Sequence, residues 1–410
     1  MKSKLILLLL ILHYSSGFGS GELVTYTYFT SATKADFRKV MKDHHVPKMF
    51  AKARYDVDVY DITYMTKWYD GTSIKASGLY FVPKNFKGAM PQVVYHHGTR
   101  IKPGRIQNLG GEEYMCMAMA VDGYIVLMPD YIGLGNGEKF HLYQLAESIG
   151  QAAVDMIIAV RELNKKLDIL TNEQLFLTGY SEGGYATLAT QKMIQEKYSD
   201  EIKVTASSAM SGAYDMAGAQ SEVMFRPYSQ PHYLPFLLKS YNEVYKVVGN
   251  DINVIYKHPY DTLIPKLFDG KHGIGDINRA LPEVPKNMIR DTFINLFVND
   301  PNFAFIKALK ANNVYDWKPE KPVQLCYCKA DEQVTYKNSL IAYRKMRENG
   351  SRHILLRNAG KKYDHYKCAI FSSLYTKMYF DSFRKGSKYG RKGPLGKRMA
   401  IDIAKLFIKK

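Results

Sequence analysis

The stretch Gly179-Tyr180-Ser181-Glu182-Gly183 sets one serine between glycines, directly after the apolar run 174–181 and directly before a helix-like run, 183–198. A strand, a glycine-flanked serine and then a helix is the context in which this spacing does chemistry. The glycines leave room for a turn too tight for side chains, which lifts the hydroxyl out of the sheet. The first N–H groups of the helix then point at the place where negative charge develops on an attacked carbonyl. A serine is a weak nucleophile alone, so it requires a general base, and a third group to hold that base in one tautomer.

Two later stretches supply such groups in the chain order acid, then imidazole. "QLCYCKADEQV" puts Asp331 just past an expected strand end, and "GKKYDHYKCA" puts His365 in a loop before the last expected helix. Other candidates fit less well. Asp215 follows the strand at 203–212 and is an alternative acid, whereas Asp364 is adjacent to His365 in sequence and badly placed to orient the same ring. His353 begins a strand and reads as structural, and His44 and His45 read as surface residues. His96 and His97, in "HHGT" at a strand end, read as shapers of the site, and Asp130 in "PDYIGLG" as a residue bonding loop backbone groups.

The elements that must position these residues have a consistent rhythm. "YDVDVYDITYMTKWYDGTSIKASGLYFVP" alternates along two runs parted by Asp70-Gly71, a hairpin signal. Short runs at 92–98, 124–130, 174–181 and 203–212 are apolar throughout or bounded by glycine, as strands buried on both faces are. They alternate with helix-like stretches at about 110–121, 144–166 and 183–198. The expected fold is therefore α/β, a mostly parallel central sheet flanked by helices. The rhythm stops over 213–319, which is aromatic, punctuated by proline and mainly helical, and it resumes from residue 320 to 384. The expected organisation is a signal at 1–20, a polar lead-in at 21–54, a core in two parts (55–212 and 320–384), an inserted helical cap at 213–319 and a basic tail at 385–410. The cap is expected above the C-terminal strand ends, where open α/β sheets carry their sites.

Composition narrows the class. The chain has 410 residues, 46% of them apolar, enough for one large core. Its start, basic, then apolar from Leu5 to Leu12, then rich in small residues, has the form of a cleaved export signal rather than a membrane span. A secreted or periplasmic location is expected, with no transmembrane segment in the mature chain. The net charge is +18, but residues 384–410 alone hold ten Lys or Arg against Asp402. Basicity half of which sits in the tail argues against nucleic-acid binding and for a solvated tail, with weak contact to an anionic surface as the alternative. Cys116, Cys326, Cys328 and Cys368 lack metal-site spacing; free thiols are the first expectation, and one bridge to Cys368 the second.

The pieces "HHGT", "PDYIGLG", "GYSEGG", "KADEQV" and "DHYKCA" resemble those of α/β-hydrolases of the secreted lipase and esterase type, and are similar to fungal secretory lipases and their bacterial relatives. The resemblance covers 92–212 and 322–384 and leaves the cap and tail unmatched. It implies Ser181 as nucleophile with Asp331 and His365 as partners, and an oxyanion hole from the N–H groups of Glu182 and Thr99. Glu182 departs from the Gln or small residue common at that place, a carboxylate that would disfavour anionic substrates. Tyr180, His97, Phe225 and Tyr228 are the expected substrate contacts. The reaction implied is hydrolysis of small-molecule or lipid acyl esters through an acyl-enzyme, requiring no metal or cofactor. An exopeptidase on the same fold, or a non-catalytic surface binding protein, are the competing readings; the first lacks a recognisable acidic pair for a peptide amino terminus, and the second would usually lack one of the three residues.

Overall fold

The computed structural model describes residues 19–43, 52–390 and 393–407. The expected export signal up to residue 18, and His44 and His45, lie outside the described residues. Nine strands among the described residues form one sheet: β1 (Leu23–Ala32), β2 (Val57–Lys67), β3 (Ser73–Pro83), β4 (Met90–His96), β5 (Ile125–Pro129), β6 (Thr171–Tyr180), β7 (Ala206–Met210), β8 (Val323–Cys328) and β9 (Ile354–Gly360). Their order is β1-β2-β3-β5-β4-β6-β7-β8-β9. The first three strands and the β3–β5 contact are antiparallel, and every pairing from β5 across to β9 is parallel. The helices are α1 (Lys34–Asp43), α2 (Glu113–Ala120), α3 (Ala146–Lys166), α4 (Glu182–Lys197), α5 (Tyr233–Tyr245), α6 (Tyr260–Leu267), α7 (Ile274–Ala280), α8 (Asp291–Asn299), α9 (Ala304–Ala311), α10 (Lys337–Glu348), α11 (His365–Arg384) and α12 (Leu395–Phe407).

The apolar strands are buried on both faces because successive side chains point to opposite sides. On one side Val94, Ile125, Leu127 and Leu177 pack with Val154, Ile157 and Val160 of α3 and Met193 of α4. On the other, Val93, Val126, Met128 and Phe176 pack with Met117 of α2 and Phe380 and Phe383 of α11. The 21–54 segment, read from sequence as a lead-in, contributes β1 and α1, and β1 pairs antiparallel with β2 at the sheet edge.

Helices α5–α9 lie between β7 and β8. Their Leu238, Tyr241, Phe293 and Phe305 share one core with Ile132, Leu142 and Tyr143 of the sheet domain. Two expectations are corrected. Cys328 and Cys368 form a disulfide, leaving only Cys116 and Cys326 as buried free thiols, because β8 and α11 bring those sulfurs together behind the site. The tail is not wholly solvated: α12 packs Ile401 fully into a cluster with Tyr363, Phe371 and Tyr375. Among the described residues no helix is long and apolar enough to cross a membrane.

Candidate active site

Ser181 stands between β6 and α4 with φ 61° and ψ −122°. Such a backbone costs a non-glycine residue about 1–3 kcal/mol, so the surroundings must enforce it. They do so by close approach. A Cβ on Gly183 would lie 1.9 Å from the His96 carbonyl oxygen, and one on Gly179 would lie 2.4 Å from the same atom. The Ser181 N–H is fixed on the Met210 carbonyl of β7 at 3.0 Å. As the first residue of α4, Glu182 has an N–H with no carbonyl four residues back to bond.

Asp331 and His365 meet. His365 Nδ1 lies 2.9 and 3.0 Å from the two Asp331 carboxylate oxygens, and both residues are buried. The Gln333 and Val334 N–H groups donate to Asp331 Oδ1 at 3.1 and 2.9 Å, which holds the acid in place. His365 opens α11; its N–H donates to Glu332 Oε2 at 3.0 Å, and the Tyr180 hydroxyl donates to its carbonyl. With Nδ1 engaged by the carboxylate, Nε2 is the nitrogen left to exchange a proton. Asp364 caps α11 by accepting from the Lys367 N–H, and Asp215 accepts from the Gly218 and Ala219 N–H groups; neither orients His365.

Two cavities meet at Ser181. The narrower, about 70 Å³, runs into the cap between Tyr143, Met216, Tyr228, Leu237 and Phe305, with Glu182 at its wall. The wider, about 640 Å³, is bounded by Thr99, Tyr180, His365 and the apolar side chains of α1, α2 and α11, such as Phe37, Met115 and Ile370. Tyr180 and Thr99 line the wider cavity and Tyr228 the narrower. Two expected substrate contacts line neither. His97 is fully buried outside both cavities, its ring nitrogens 2.6 Å from the Gly98 and 3.1 Å from the Asp130 carbonyl oxygens, and burial with Arg100 nearby holds its pKa well below the usual range. Phe225 turns to the surface, 38% exposed, against Phe297 and below the Lys286 ammonium. His96 is a neutral brace between the Thr178 carbonyl and the Thr190 hydroxyl, its pKa lowered by burial to about 4.

The partners of three side chains around the site escaped the sequence reading. Glu182 is buried and its Oε1 accepts from His141 Nε2 at 2.7 Å, while Oε2 finds no partner among the described residues. Glu112 accepts from the Gly98 N–H at 2.8 Å and the Tyr95 hydroxyl at 3.0 Å, beneath the loop that carries Thr99. Arg105 joins Asp61 to Asp130, so Asp130 holds a guanidinium and the Ser77 hydroxyl rather than loop backbone groups. No local motif marks His141 or Arg105, because their partners are distant in sequence.

Comparison with known proteins gives a consistent picture. The sequence profile of the secretory lipases matches residues 105–370. Among solved structures, the chain is similar to a protein of Legionella pneumophila described as a hydrolase, at 29% identity and a TM-score of 0.83 over 89% of this chain and 99% of that one. It is similar also to the rice cell wall degrading esterase LipA of Xanthomonas oryzae, at 24% identity and 0.79 over 90% and 99%. Candida antarctica lipase A follows at 14% identity and 0.66 over 90% and 83%. No curated protein matches by sequence.

Proposed function

Because the chain belongs to the secretory lipase family and is a carboxylic-ester hydrolase, we propose that it cleaves acyl esters through Ser181, His365 and Asp331 and a covalent acyl-enzyme. The observation that carries this reading is the strained Ser181 backbone at the mouth of the same cavity that the Asp331-paired His365 lines. Ser181 attacks the ester carbonyl as His365 Nε2 takes its proton, and Asp331 stabilises the imidazolium. The N–H groups of Glu182 and Thr99 receive the oxyanion. His365 then protonates the departing alcohol, and water repeats the steps to release the acid.

That proton transfer orients the substrate. The leaving oxygen must reach His365, which lines only the wide cavity, so the alcohol portion occupies the space between α1, α2 and α11. The acyl chain then enters the narrow cavity between Tyr228, Leu237 and Phe305, which makes residues 213–319 an acyl-binding cap. A small cavity lined mainly by apolar side chains suits the hydrocarbon part of an acyl group. The family's secretory character and the form of residues 1–20 support an exported enzyme.

The test is labelling of wild type and Ser181→Ala with a fluorophosphonate, together with p-nitrophenyl esters from acetate to palmitate. Only the wild type should label, and the chain-length optimum separates esterase from lipase. Equal labelling of both proteins would remove Ser181 from its role.

A further inference from the structure

Helix α12 has two unlike faces. On one, Ile401 is fully buried, the Lys405 ammonium donates to the Tyr375 hydroxyl at 3.0 Å above the Phe371 and Tyr375 rings, and the Tyr363 hydroxyl donates to the Lys405 carbonyl. On the other, Leu395, Met399 and Ile403 are 66%, 55% and 54% exposed. Their spacing of four stacks them along one side of the helix. A packed helix that leaves three large aliphatic side chains in one exposed row has an apolar stripe unaccounted for by the fold.

We propose that this stripe docks the protein onto an anionic lipid bilayer, with α12 lying in the plane of the interface. The charge around it selects that occupant. Residues 384–410 carry a net +9, and their one acid, Asp402, is paired with Lys405 at 3.2 Å. Lys397 lies 3.9 Å from Asp381, and Arg398 sits half-buried beside the stripe. A second copy of the chain would bring another Lys397, Arg398 and Lys405 to the first, and like charges facing one another oppose association. A nucleic acid would satisfy the cations and leave the aliphatic row unburied. An anionic bilayer answers both, since aliphatic insertion and attraction of cations to acidic headgroups reinforce one another and neither alone anchors firmly. The stripe belongs to a helix fastened to α11, the element that begins with His365, so docking sets the site one helix away from a lipid surface.

The test uses the full chain carrying Ser181→Ala, so that no lipid is turned over, and its co-sedimentation with vesicles. Vesicles of phosphatidylglycerol and phosphatidylcholine in equal parts should bind it, and vesicles of phosphatidylcholine alone should bind it at least about tenfold more weakly. Leu395→Ser, Met399→Ser and Ile403→Ser together should weaken anionic binding on the order of a hundredfold, because half-exposed aliphatic groups lose their place in the acyl boundary. Salt that shortens the Debye length to about 3 Å should release the unsubstituted protein. Unchanged binding by the triple variant, or equal binding to both vesicle types, overturns the proposal. So does a concentration-dependent dimer in light scattering that the triple variant dissolves, which would assign the stripe to self-association.

Discussion

Two carboxylate–imidazole pairs flank Ser181, and they are almost alike in local geometry. Asp331 faces His365 at 2.9 Å and Glu182 faces His141 at 2.7 Å, and all four side chains are buried. They differ in what the imidazole meets next. His365 lines the wide cavity together with Ser181. His141 stacks on Tyr131 at 5.4 Å, lies 5.8 Å from Phe236, and borders a separate cavity between Ile101 and Phe268. Its backbone carbonyl lies 3.4 Å from the Ser240 hydroxyl of α5, which donates to the Phe236 carbonyl at 3.0 Å and accepts from the Tyr143 N–H. In the proposed mechanism one pair moves a proton, whereas the other ties the turn at Ser181 to the cap. An imidazole held by a carboxylate becomes a base only when its second nitrogen faces a reacting atom.

The sharpest way to break that contrast is to remove each imidazole in turn. His365→Gln should lower kcat/KM for p-nitrophenyl butyrate by about 10⁴-fold or more, because in the proposed mechanism His365 takes the Ser181 proton. His141→Gln should cost less than about 100-fold, with its main effect in urea unfolding, a loss of about 3 kcal/mol as the Glu182 carboxylate loses its partner in the interior. Asp331→Asn should follow His365→Gln closely and exceed Asp215→Asn, since Asp215 only closes a turn. Equal catalytic losses at His365 and His141 would end the distinction.

Half of the contrast was legible in the sequence. Ser181, Asp331 and His365 each follow an expected strand in a short recognisable stretch, and the glycines beside Ser181 are there for steric reasons that sequence alone reveals. His141 lies in a loop without a motif, and Glu182 looked like an anomaly until the fold set the two together. Phe225 and Tyr228 illustrate a second limit: three residues apart in one aromatic stretch, they turn to surface and cavity respectively, because irregular backbone gives no period from which to read a face. β1 was legible but passed over: "LVTYTYFTSA" has the β-branched and aromatic residues of a strand, and it was absorbed into a lead-in judged by its Lys-rich later part.

The two pairs also differ in what braces them. Cys328 precedes Asp331 and Cys368 follows His365, so the disulfide links the acid's strand to the base's helix, whereas the His141–Glu182 pair relies on stacking and the cap. Cys328→Ser with Cys368→Ser frees a loop of 40 residues in the unfolded chain, for an expected loss of about 4 kcal/mol in unfolding free energy. Denaturant unfolding with and without a reductant measures it. The wild type treated with reductant should match the double variant, and a reductant-insensitive wild type would show the brace to be dispensable.

A third carboxylate, Glu112, sharpens the comparison because it has no imidazole. Its oxygens accept from Gly98 N–H and Tyr95 hydroxyl, which favour the charged form, yet burial outweighs them and raises its pKa from the ordinary 4.5 to about 6. The folded state therefore holds this proton more tightly than the unfolded chain. The contribution to stability is full below pH 4.5 and is lost as pH rises to about 6, a change of about 2 kcal/mol. Glu112→Gln keeps a carbonyl for the Gly98 N–H, and the Tyr95 hydroxyl can turn to accept from the new amide. The difference in urea-unfolding free energy between wild type and variant should thus move by about 2 kcal/mol against the wild type between pH 4.5 and 6 and be flat above. Movement in the opposite direction would mean that the two donors outweigh burial.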